Sequence, residues 1–246
     1  MGRAMKDSGV EWIGEIPEAW NVFPMKSVII SNDGGIWGND PVGDGTDKVV
    51  IRSTEQSIDG KWQITSPATR NLSGFNVDTY RILPGDLLIT KSSGSAFHIG
   101  KTTIADQYFA EKECYYSNFI QRVRVNQFAK YYWYILNSTI ARDQFVYLQN
   151  TTSGIGNINA KDIEKIYVPL PSIDEQYSIS RFLDEQCAKI DTIIAKALAS
   201  IEEYKHLKQA VITQTVTKGV RGERPMKDSG IAWIGKVPEN WDIINL

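Results

Sequence analysis

The chain has 246 residues, 42% of them hydrophobic, with 27 basic and 29 acidic side chains and a formal net charge of -2. This content builds one substantial core plus an extension and excludes a disordered chain; no run of about 18 apolar residues is present to span a membrane. Two cysteines far apart, Cys114 and Cys187, and two histidines argue against a disulfide framework or a Cys/His zinc site and point to a reducing cytoplasm.

From the N-terminus, Met1–Lys6 is polar and does not read as a signal peptide, and Met5 makes a natural start. Residues 21–171 read as a mixed α/β globule. Strands are predicted at Lys48–Arg52, Leu87–Thr90 and Ile120–Val125. Asn126–Leu148 reads as one helix capped by Asn126, and Asn159–Lys165 as a short helix before a strand at Tyr167–Leu170. Residues 172–218 contain neither Gly nor Pro and are bracketed by Pro169 and Pro171 before and Gly219, Gly222 and Pro225 after. Ser172 with Glu175 fits a capping box. Leu183, Cys187, Ile190, Ile194, Ala197, Ile201, Tyr204 and Val211 follow 4-3 spacing, with Lys208 as the polar break. This predicts a helix of about 70 Å at 1.5 Å per residue with a coiled-coil-like seam. The competing reading is a core helix broken in two.

The chain also repeats itself. Met5-Lys-Asp-Ser-Gly-Val-Glu-Trp-Ile-Gly-Glu-Ile-Pro-Glu-Ala-Trp20 returns, much of it unchanged, as Met226-Lys-Asp-Ser-Gly-Ile-Ala-Trp-Ile-Gly-Lys-Val-Pro-Glu-Asn-Trp241. One large unit is thus followed by the opening of a second. The expected organisation is an N-terminal segment 1–20, a globular domain 21–171, a long helix 172–218, and a linker with the start of a second unit, 219–246. The fold class is α+β.

Catalytic motifs are missing. Ser95-Ala-Phe-His-Ile-Gly100-Lys101-Thr102 approaches a phosphate-binding loop, but that loop needs Gly in place of Ser95 and runs into a helix, whereas Thr102–Ala105 is β-prone. Gly154-Ile-Gly156 is only a fragment of a dinucleotide fingerprint. No methyltransferase, helicase or nuclease signature appears, and His98 and His206 lack evident partners. The net charge is no mark of nucleic acid, but three windows, 60–77, 87–105 and 144–161, contain no Asp or Glu. They are crowded with Ser, Thr, Asn and Gln and carry Lys61, Arg70, Lys91, Lys101 and Lys161. Such loops suit a polyanion, cations neutralising phosphate and amides or hydroxyls reaching phosphates or base edges. Ordinary polar loops would look the same.

Three motifs together resemble the specificity subunits of type I restriction–modification enzymes. Asp7-Ser-Gly-Val-Glu-Trp-Ile-Gly-Glu-Ile-Pro-Glu-Ala-Trp20 is similar to their opening. Leu83-Pro-Gly-Asp-Leu-Leu-Ile89 followed by Gly100-Lys101 resembles their mid-domain segment. Thr151-Thr-Ser-Gly-Ile-Gly-Asn-Ile158, Val168-Pro-Leu-Pro171, Glu175-Gln176 and Leu183-Asp184 resemble the end of a recognition domain entering its spacer helix. The resemblance implies a non-catalytic subunit that binds double-stranded DNA and directs partners. The modification (M) subunit would hold S-adenosylmethionine and methylate adenine, and the restriction (R) subunit would cut. It implies no cofactor on this chain and no membrane. A full subunit has two recognition domains and two antiparallel helices, whereas this chain has one of each, so a homodimer on a bipartite palindromic site is the expectation. The alternatives are a coiled-coil scaffold protein without DNA binding and a free-standing methyltransferase or nuclease.

Expected DNA contacts are Lys91, Ser92, Ser93, Ser95, His98 and Lys101, then Thr151, Thr152, Ser153 and Asn157, with Arg70 and Asn71 after them. Lysines are expected on phosphate. The expected partner-binding stripe is Leu183, Ile190, Ile194, Ile201, Tyr204 and Val211.

Overall fold

A computed structural model describes residues 3–152, 155–220 and 222–244. Contacts divide the chain into two compact units, residues 1–182 and 183–246.

The first unit opens with an antiparallel hairpin, β1 (Met5–Asp7) on β2 (Glu15–Pro17), followed by β3 (Asn21–Pro24). Next come β4 (Ile29–Gly34), β5 (Lys48–Ile51), β6 (Ala68–Arg70), β7 (Leu87–Thr90), β8 (Ser92–Ser93) and β9 (Thr102–Ile104). A short helix α1 (Gln107–Glu111) precedes β10 (Tyr115–Tyr116) and β11 (Ile120–Val125). Helices α2 (Ala129–Asn137) and α3 (Thr139–Leu148) lead to β12 (Asn150–Thr152), β13 (Ile155–Asn157), α4 (Ala160–Lys165) and β14 (Tyr167–Leu170). The long helix α5 (Ile173–Lys218) follows, then β15 (Met226–Asp228) and β16 (Lys236–Pro238).

The centre is a four-stranded antiparallel sheet in the order β4-β11-β7-β9. Both faces are covered, so β7 is buried along its whole length rather than alternating. Leu87 and Ile89 join the core with Val123, Tyr132, Leu136 and Phe145, whereas Leu88 faces Ile51, Phe109, Tyr116 and Ile120 on the other side. A second sheet, β10-β5-β6, sits beside the latter face, its β10 parallel to β5. Strand β14 pairs antiparallel with β3, bringing the end of the globule back to its beginning.

The predicted strands appear where expected, Lys48–Arg52 ending one residue early. The single helix expected over Asn126–Leu148 is corrected: it is two helices broken at Ser138, and the first is capped at Phe128 rather than Asn126. The cause is tertiary. The Asn137 amide donates to the Thr102 carbonyl (2.8 Å) and its oxygen accepts from Thr102 N–H (3.3 Å), tying the helix end to β9. Ser138 Oγ donates back to the Ile135 carbonyl at 2.7 Å, a local bond that competes with helix propagation. Asn159 does cap α4, with Asp162 completing the capping box. At α5, Ser172 Oγ accepts from Glu175 N–H (3.4 Å) and donates to the Glu175 carboxylate (3.3 Å), which also takes Arg3 (2.6 Å) and the Trp20 indole N–H (3.1 Å).

The second unit holds the rest of α5 and the hairpin β15–β16. Its pairing, Met226 with Pro238 and Asp228 with Lys236, reproduces Met5 with Pro17 and Asp7 with Glu15. Even the cation–π contact recurs, Arg3 over Trp20 and Arg224 over Trp241, each at 5.5 Å. Among the described residues no helix is long and apolar enough to cross a membrane, and no acid, histidine or cysteine cluster could hold a metal.

Gly100 has φ +77°, and a Cβ there would lie 2.3 Å from the Phe145 ring. Gly100→Ala is expected to cost about 3 kcal/mol, from left-handed strain plus overpacking, read as a lowered urea midpoint at unchanged slope.

Candidate nucleic-acid interface

Two of the three acid-free windows meet in one small sheet, β12-β13-β8. Asn157 pairs with Ser92 and Gly156 with Ser93, and the Ser92 hydroxyl donates to Asn157 Oδ1 at 2.6 Å. Thr151 and Thr152 lie on β12, paired with Gly156 and Ile155. Ser153 lies outside the described residues. Residues distant in sequence thus form one polar surface without a carboxylate.

Two grooves open beside β8, and both are lined by Ser53, Thr54 and Ser93. One, of about 580 Å³, adds Gln63, Asp59, His98 and Thr90. The other, of about 470 Å³, adds Trp37, Arg52, Asn118 and Phe119. The segment between them, residues 52–57, is built rigidly. Arg52 N–H donates to Glu55 Oε2 at 2.5 Å and its guanidinium to Glu55 Oε1 at 2.6 Å. The Gln56 amide donates to the Leu88 carbonyl (2.7 Å) and Thr103 Oγ1 (2.8 Å), and its oxygen accepts from Thr90 Oγ1 (2.7 Å). Every polar atom of that buried amide is therefore engaged with the central sheet.

Lys101 completes this framework, which corrects its expected role. It is 4% exposed, and its ammonium donates to the carbonyls of Ser53 (2.9 Å) and Gln56 (2.7 Å). Burial lowers its pKa, and the neighbouring Arg142 adds to the effect. A cation sealed on two carbonyls holds the groove wall; it is not a phosphate ligand on the surface. Arg142 does the same for the opposite wall: its guanidinium donates to the carbonyls of Ile99 (2.6 Å) and Phe97. Burial lowers its pKa too.

Arg70 and Asn71 are corrected likewise. Arg70 stacks on Trp37 (4.8 Å), pairs with Asp40 (2.8 Å) and donates to the Trp37 carbonyl, so it braces the groove aromatic and offers no free charge. Asn71 is 7% exposed, its backbone bridged to Asn39 and its side chain accepting from Ser73.

Lys91 differs. It is half-buried, and burial lowers its pKa. Its ammonium has no hydrogen bond or ion pair among the described residues, and Gly34 leaves it room: a Cβ there would lie 3.1 Å from Nζ. An unpaired, partly desolvated cation is an anion seat. His98 and Ser95 sit on the neighbouring turn, His98 N–H donating to the Ser95 carbonyl at 3.0 Å. Arg52, Ser53, Thr54, Trp37, Phe119 and Gln63 were not singled out by the sequence, because the sheets import them from segments far along the chain.

Residues 17–203 match the family described as the type I restriction modification DNA specificity domain. The chain belongs to this family. Over 241 residues it is 27% identical to the putative type I restriction enzyme MjaX specificity subunit of Methanocaldococcus jannaschii, covering 95% of this chain and 53% of that one. The EcoKI specificity subunit of Escherichia coli is 27% identical over 148 residues, 60% of this chain and 31% of that one. The crystal structure of the HsdS subunit from Thermoanaerobacter tengcongensis shares the fold, with a TM-score of 0.59 at 14% identity, over 85% of this chain and 52% of that chain. The chain spans about half the length of the first specificity subunit it matches.

Lys101→Met would leave the buried Gln56 carbonyl unpaired and the Ser53 carbonyl with only the Gln56 N–H, at 3.3 Å. It is expected to lower stability by about 1–3 kcal/mol, measured by urea unfolding, with the exposed face unchanged in charge.

Proposed function

We propose that this chain is the DNA-reading subunit of a type I restriction–modification complex, itself without catalytic activity. The observation that carries this is the union of two acid-free windows in the β12-β13-β8 surface, flanked by rigid grooves and the unpaired Lys91. Ser92, Ser93, Ser95, His98, Thr151, Thr152, Ser153 and Asn157 remain the proposed polar contacts around it. Adenine methylation, with S-adenosylmethionine on the M subunit, and cutting by the R subunit are partner activities in this reading.

The long helix supplies the assembly surface. Ile190, Ile194, Ile201, Tyr204 and Val211 are 48–70% exposed, and Ile193, Leu198 and Leu207 widen the stripe. An apolar face of this extent is covered in solution. Two copies related by a two-fold axis would pair their helices antiparallel, an isologous contact. They would present identical domains to opposite half-sites, so the target is a bipartite palindrome. The M subunit docks along the same helices. A scaffold without DNA binding would share the stripe but has no use for the groove framework.

Binding to the specific duplex is expected to persist against competitor DNA and to weaken steeply with salt. Lys91→Ala should weaken binding to all sequences and lower the salt slope by about one. Light scattering should give a dimer at micromolar concentration. Ile194→Glu with Ile201→Glu should give a folded monomer that no longer captures the M subunit. A non-palindromic methylated site would overturn the two-fold arrangement.

A further inference from the structure

The two grooves beside β8 have different chemistry. The one holding Trp37 and Phe119 is aromatic, and its Arg52 guanidinium is paired with Glu55 (2.6 Å). The one holding Gln63 and His98 offers, among the described residues that line it, no available cation, because Lys101 is sealed on the Ser53 and Gln56 carbonyls. It also carries a carboxylate, Asp59. Partial burial works against ionisation there, but hydrogen bonds from Ser57 and Lys61 and the charge of Lys61 hold Asp59 below the usual carboxylate range. Lys61 pairs with Asp59 at 3.4 Å, so the groove offers a phosphate backbone no net attraction. The polar edges of base pairs, which carry donors and acceptors without net charge, suit it better.

Gln63 is placed for such a surface. Its main-chain N–H donates to the Glu55 carbonyl at 2.8 Å, fixing it to the rigid 52–57 segment. Its predecessor Trp62 is drawn inward, the indole N–H donating to the Ile104 carbonyl (2.8 Å) and the ring packing on Phe109 (4.5 Å). Gln63 is exposed on the groove, and its amide makes no hydrogen bond to any described residue. Across from it, the loop bearing His98 is clamped by Arg142, and among the described residues the imidazole's only ring contact is the edge of Phe97, at 6.2 Å between ring centres. A free amide and a free imidazole thus stand on two immobilised walls.

We propose that Gln63 and His98 are base-reading residues of this recognition unit. Gln63 addresses adenine through its amide donor and acceptor, and His98 addresses a neighbouring base pair. An amide matches adenine N6 and N7 together in the major groove. The proposal rests on the reading of this chain as a DNA-binding subunit. It assigns sequence discrimination to the carboxylate-bearing groove and phosphate contact to Lys91.

The test uses the full chain, alone and with its M subunit, after the target is found by methylome sequencing. Fluorescence anisotropy is measured on that duplex and on its single-base-pair variants. Gln63→Leu keeps the size of the side chain and removes the amide. It should abolish a roughly 10- to 100-fold preference at one A·T pair while leaving the salt slope and the affinity for unrelated duplex unchanged. His98→Ala should relax a different position. Unchanged preferences in both variants would overturn the proposal, as would a uniform loss across all duplexes with a lower salt slope, which marks phosphate contact. A wild-type protein that binds no duplex in either form would instead remove the DNA reading on which the proposal stands.

Discussion

The groove-bearing face hangs on one buried cation. Moving an ammonium out of water costs several kcal/mol unless hydrogen bonds replace the lost hydration. Lys101 recovers that cost by holding the Ser53 and Gln56 carbonyls, which binds the 52–57 segment to the strand entering β9. Both grooves are lined by Ser53 and Thr54, so both take their shape from this bond. The Gln56 amide, locked between Leu88, Thr90 and Thr103, repeats the tie from the other side. Recognition surfaces built on loops need such support, because an unsupported loop gives up ordering entropy on every binding event.

Much of the fold was legible from residue pattern. Leu87–Thr90 declares itself as a short, mostly apolar run because both faces of its sheet are covered, and Ile120–Val125 by its β-branched Ile120, Val123 and Val125. The long helix was visible in the absence of Gly and Pro and in its 4-3 stripe. What failed was non-local. Asn126–Leu148 has the periodicity of one helix, and the bonds from Asn137 to Thr102, 35 residues away, divide it together with the local Ser138 bond.

The site was legible in the same uneven way. Two of the acid-free windows meet in one sheet, since Ser92, Ser93 and Asn157 come together. Composition states the sign of a surface but not the direction of a side chain, so Lys91 and Lys101 looked alike. One ammonium has no partner among the described residues and the other is buried on carbonyls, a distinction made by chain segments some 45 residues distant. Arg70 and Asn71 were misjudged for the same reason: Trp37, Asp40 and Asn39 reach them only through the folded sheet.

The duplicated hairpin has a consequence at the level of the gene. Arg3, Trp12 and Trp20 make the joint of the first unit. Trp12 rests on Tyr147 (5.4 Å), and Arg3 and Trp20 share Glu175. Arg224, Trp233 and Trp241 present the same chemistry on the same strand register, with Trp233 87% exposed. A block whose two borders carry the same joint can be excised, duplicated or traded for another by crossing over within the repeat, and neither new junction has to be re-engineered. Substitutions must retune a groove one side chain at a time; exchange across these borders would replace an entire set of loops in a single event, together with the helix and stripe that lie between them.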